Sequence, residues 1–79
     1  MNIDSGAQMK PIRLEKDSKY YAIHLTTDLF GDLVLVCDYG SMLSKRSHRI
    51  TKVVGSKKEA ELVSEKIIKT RYNHGYDVV

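Results

Sequence analysis

Between residues 45 and 52 the chain places Lys45, Arg46, Arg49 and Lys52 with no acidic residue among them. Cations at that density attract phosphates, and His48 adds a further donor inside the run. Just upstream, the ring of Tyr39 in Tyr39-Gly40-Ser41 either closes the core at a strand end or stacks on a base or sugar, an interaction of roughly 1–3 kcal/mol per stacked base. The chemistry these residues suit is non-covalent binding of DNA or RNA. An ordinary solvated hairpin collects the same charges. If residues 48–52 are extended, Arg49 points away from His48, so the five basic groups share one surface only if the preceding loop curls.

Nothing comparable points to catalysis. General acid–base work needs convergent titratable groups, and the acids here are scattered over turns and a helix exterior. Cys37 has no base near it in sequence, and His24, His48 and His74 lack metal-ligand spacing. No glycine-rich loop cradles a phosphate. The chain therefore reads as non-enzymatic, with no metal and no cofactor.

Seventy-nine residues leave room for one core. We read residues 1–10 as a flexible tail, with no basic and apolar blocks of a signal peptide, and residues 11–79 as one domain. The longest apolar run, Leu33 to Cys37, is far short of the ~20 residues a membrane helix needs. A lone thiol within that run fits a reducing cytoplasm. The net charge is +3, yet residues 1–44 carry four basic and six acidic groups, so the positive charge sits in the 45–52 segment.

The elements that must position these groups follow from periodicity. Ile12 and Leu14 alternate with Arg13 and Glu15, a short strand. Tyr20 to Thr26 alternates again, with Tyr21, Ile23 and Leu25 on the apolar side. Asp28 to Asp32 is a hairpin turn in which Gly31 supplies positive φ. Leu33 to Tyr39 is apolar on both faces, the pattern of an interior strand. Gly40 to Ser47 is expected to be a loop, and His48 to Val54 a fourth strand. Ser56 and Glu59 form a capping box for a helix whose stripe is Ala60, Val63, Ile67 and the stem of Arg71, widened by Ser64 and Ile68. Leu62 falls off the stripe, and Gly75 is a left-handed stop with Tyr76 folded back. The expected fold is α+β: an antiparallel sheet of about four strands with one C-terminal helix on one face.

Along this order lie Lys19-Tyr20-Tyr21, Asp28-Leu29-Phe30-Gly31-Asp32, Val36-Cys37-Asp38-Tyr39-Gly40-Ser41, Ser56-Lys57-Lys58-Glu59-Ala60-Glu61 and Lys69 to Tyr76. Together they resemble the WGR domain, found in DNA-dependent poly(ADP-ribose) polymerases and in small bacterial proteins, over about residues 12–76. In that family a Trp-Gly-Arg tripeptide at a strand end contacts DNA. By position Tyr39 fills the tryptophan slot, Gly40 the glycine slot and Ser41 the arginine slot. Serine has neither the charge nor the forked donors of a guanidinium. The resemblance thus implies a stand-alone nucleic-acid-binding module whose contacts are Tyr39, Gly40, Lys45, Arg46, His48, Arg49 and Lys52. The polymerase activity of the family belongs to another domain.

A second function class stays open. Met42-Leu43 is an apolar pair on a loop tip, and such pairs mark contact surfaces. One helix covers one face of a sheet, which leaves Val34 and Val36 for solvent, a loop or a partner. On this view the chain is a protein-interaction or self-association module with no nucleic-acid role.

Overall fold

The computed structural model describes residues 10–79, so the expected tail lies, Lys10 apart, outside the described residues. The fold is α+β. Strands β1 (Ile12–Lys16), β2 (Lys19–Thr27), β3 (Leu33–Ser41) and β4 (Ser47–Val54) precede helix α1 (Lys57–Asn73), and β5 (Asp77–Val78) follows it. All neighbours in the sheet are antiparallel, in the order β4-β3-β2-β1-β5.

Each connection has a local cause. The β1–β2 hairpin closes through Asp17 at φ 54°, a conformation that aspartate tolerates. In the β2–β3 turn the Asp28 carboxylate accepts the amides of Phe30 and Asp32 at 2.9 and 3.0 Å, and Gly31 takes φ 83°. At the start of α1, Ser56 Oγ accepts the Glu59 amide at 3.1 Å, and Glu59 Oε1 accepts the Gly55 amide at 2.8 Å. The capping box thus closes one residue ahead of Ser56. The far end is a Schellman motif: Gly75 has φ 96°, its amide donates to the Tyr72 carbonyl, and the Tyr76 amide donates to the Arg71 carbonyl.

The core lies between α1 and one sheet face. Leu14, Ile23 and Leu35 are its fully buried large side chains, joined by Tyr21, Leu25, Cys37, Val54 and Ala60. The helix stripe falls as the spacing predicts, with Ala60 and Ser64 buried and Val63, Ile67 and Ile68 packed around the core. Leu62 is exposed.

Two expectations are corrected, and the expected sheet of about four strands gains a fifth. Gly40 and Ser41 are not loop: β3 runs through Ser41, with Gly40 opposite Tyr20 on one side and Ser47 on the other. The β3–β4 loop is therefore residues 42–46. A fifth strand is present, pairing Leu14 with Val78 and Glu15 with Asp77. The Schellman turn aims the chain at the β1 edge, and two residues carry no readable periodicity. Finally, Val34 and Val36 are not left for a partner, being only 8% and 4% exposed. They lie on the helix-free face, where Thr26 and His24 from β2 and Val53 and Thr51 from β4 flank them in register. Cross-strand neighbours on both sides bury them without a second layer.

Candidate nucleic-acid interface

The register places Tyr21, Tyr39 and His48 side by side across β2, β3 and β4. Adjacent strands lie about 4.8 Å apart, close to ring-stacking distance, and the rings take that geometry. Tyr21 and Tyr39 stack at 5.4 Å between centroids, 10° from parallel, and Tyr39 and His48 at 5.2 Å and 25°. The Arg71 guanidinium continues the row, 5.0 Å from the Tyr21 centroid. The row runs from the last turn of α1 to the edge of the sheet.

This row, with Tyr39 packed against the core, favours the packing part for Tyr39 over the stacking one. Its two faces are occupied by Tyr21 and His48, so it has no open face for a base. The open ring belongs to His48, which is exposed on the edge strand β4. Tyr39 instead braces His48 from behind.

Gly40 sits under a steric constraint. A Cβ there would lie 2.8 Å from the Arg46 carbonyl oxygen and 3.2 Å from Ser47 Cα. Both are backbone atoms, so the hairpin itself would have to open. Gly40→Ala is expected to cost about 1–3 kcal/mol, as overpacking does. A lowered thermal midpoint, with amide shift changes confined to residues 40–47, checks this; an unchanged midpoint counts against it.

The basic residues divide between two faces. Arg49 lies opposite Asp38 on the helix-free face and forks onto its carboxylate at 2.7 and 3.1 Å. The Arg49 hydrogen bond, with its charge, holds the Asp38 carboxyl below its ordinary range. Lys45 and Arg46 occupy the β3–β4 loop, and His48 and Lys52 alternate with Ile50 along the helix-side face of β4. All four basic groups are exposed. Among the described residues the ion pairs are Arg13–Glu15 and Arg49–Asp38, so these four have no carboxylate partner. Arg49 therefore leaves the expected patch, its charge being offset and directed elsewhere. In the same loop Met42 is 45% and Leu43 86% exposed, while the Met42 amide donates to the Ser18 carbonyl and anchors the loop base.

Beneath the row lies Cys37, buried next to Tyr21. Burial pushes its thiol up, with the Tyr21 hydrogen bond pulling the other way. Tyr21 is pushed up to about 12, first by burial and then by Cys37, with Arg71 opposing. The sign follows from the unfolded value near 10. Below about pH 10 both states are protonated and the contribution of Tyr21 is complete. As pH rises toward 12 only the unfolded chain ionises, and stability falls. The loss attributable to Tyr21 is at most about 2 kcal/mol by pH 11.5, because the folded-state ionisation near 12 is only partly passed there. Denaturant unfolding at pH 8 and pH 11.5 measures it, and Tyr21→Phe should flatten the difference.

Sequence reasoning missed Tyr21, Lys66 and Arg71 as residues lining a depression beside α1. The available signal was Arg71, the one cation on the apolar stripe of the helix. Among the described residues no three His, Cys, Asp or Glu side chains converge as a metal set, and no helix is long and apolar enough to cross a membrane. The chain matches no protein-family model, no curated protein and no solved structure.

Proposed function

We propose that this chain is a non-catalytic module that binds nucleic acid weakly and salt-dependently along the β4 edge, as its resemblance to the WGR domain implies. The observation that carries the proposal is the set of exposed cations Lys45, Arg46 and Lys52, grouped with the exposed His48 ring on one rim with no acidic partner among the described residues. Lys45, Arg46 and Lys52 hold backbone phosphates, and an unstacked base lies on the free face of His48. Gly40 lets the hairpin close tightly enough to bring Arg46 beside the ring row. The binding is modest because three lysine or arginine contacts release few counterions.

Fluorescence anisotropy with single-stranded, duplex and overhanging DNA and with RNA, over a salt series, tests this. Binding should weaken as salt rises and should fall with His48→Ala. No binding at low salt by the folded protein ends the proposal. Capture of a protein that depends on Met42 and Leu43 and ignores salt would instead support the interaction-module alternative.

A further inference from the structure

The opposite end of the ring row ends in a different kind of surface. Lys66, Ile67, Thr70 and Arg71 from α1, together with Tyr21 from β2, line a depression of about 210 Å³. Its polar groups are two cations and two hydroxyl-bearing side chains, with no carboxylate on its walls. A larger depression of about 370 Å³ elsewhere on the helix is walled by Glu61 and Glu65 beside Lys10, which makes it unsuited to an anion.

Arg71 is held in a way that prepares it to bind. Its guanidinium is packed against two rings, 5.0 Å from the centroid of Tyr21 and 5.9 Å from that of Tyr76. The Arg71 carbonyl accepts the Tyr76 amide that closes the helix, so the side chain leaves a fixed stretch of backbone. Its Nε is buried and has no acceptor among the described residues. No carboxylate neutralises it among the described ion pairs. A planar donor fork, pre-ordered by stacking and lacking a counter-ion, suits bidentate recognition of an oxyanion. Lys66 is exposed on the same wall. Two cations favour a dianion over a single carboxylate.

We infer that the Lys66–Thr70–Arg71 depression is a phosphoryl-oxyanion site, distinct from the β4 rim and separated from it by the Tyr21–Tyr39 stack. The Arg71 Nη groups grip two oxygens, Lys66 supplies the second charge, and the Thr70 hydroxyl lies within the same wall. Thr70 Oγ1 donates to the Lys66 carbonyl at 3.0 Å, so toward an anion it orders the wall rather than donating. The phosphoryl group comes either from a nucleic-acid backbone reaching across the row or from a free phosphate or mononucleotide.

The test is a ¹H–¹⁵N NMR titration of the full chain that follows the Arg71 Nε–Hε signal. It uses Lys45→Ala/Arg46→Ala/Lys52→Ala protein, so that failure of the rim leaves this site readable. Inorganic phosphate should shift that signal saturably, and sodium chloride at equal ionic strength should not. Lys66→Ala, a change at an exposed position, should weaken the phosphate response at least threefold while leaving the fold intact. A saturable response to phosphate or a mononucleotide supports the free-anion source, and one to a thymidine oligonucleotide alone supports the polymer. No shift with any of the three, or a linear shift matched by chloride, overturns the site.

Discussion

Replacing Lys45, Arg46 and Lys52 together by alanine is expected to abolish measurable nucleic-acid binding along the β4 rim. Each phosphate contact contributes about −0.9 to the slope of log K against log salt, so the three account for a slope of roughly −2.7. Their removal should bring the slope near zero and lower affinity on the order of 100-fold or more at low salt. All three side chains are exposed and bonded to no acid, so the variant should unfold as the parent does. The same salt series on Arg49→Ala gives the contrast. Arg49 is forked onto Asp38 on the other face of the sheet, and its loss should leave the slope unchanged. Equal effects for Arg49 and for the rim cations would show that position in sequence, not face, governs the interaction.

The largest effect on stability is expected from Leu35→Ala. Leu35 is 1% exposed, lies on an interior strand between Leu25 and Lys52, and belongs to the core beneath α1. Burial on all sides leaves little room for collapse around the missing carbons, so the cost is about 3 kcal/mol. A chain of this size has roughly 3–5 kcal/mol in total, so roughly 0–2 kcal/mol remains and a measurable fraction of the variant should be unfolded near 37 °C. The midpoint should fall on the order of 15 °C. Leu62→Ala removes the same atoms from an exposed helix position and should change stability by less than about 0.5 kcal/mol. Similar losses from the two would mean that the core is not where the burial pattern places it.

Much of the sheet was legible because its elements obey short-range rules. Strand β2 alternates cleanly, β3 is apolar on both faces, and Ser56, Glu59 and Gly75 mark the two ends of the helix. Strand β5 was not legible, since Asp77–Val78 forms only because the Schellman turn presents it to the free edge of β1. Gly40 looked like the start of a loop, whereas its strand pairing on both sides depends on how closely Arg46 and Ser47 approach. Val34 and Val36 looked available, yet flanking side chains on the two adjacent strands close over them.

The positive segment at 45–52 was visible from composition alone, and so was the tyrosine at the end of β3. Alternation also indicated that Arg49 faces away from His48. What alternation could not supply was the Asp38 partner, because register between strands joined by a loop depends on the whole sheet. The same register aligns Tyr21, Tyr39 and His48, which covers the Tyr39 ring and leaves His48 as the open one. Local sequence determined which elements form, where the helix is capped and where the cations lie along the chain. Tertiary structure decided which cations share a face, which ring is free and which guanidinium groups are left without an acid, because each depends on contacts between residues far apart in sequence.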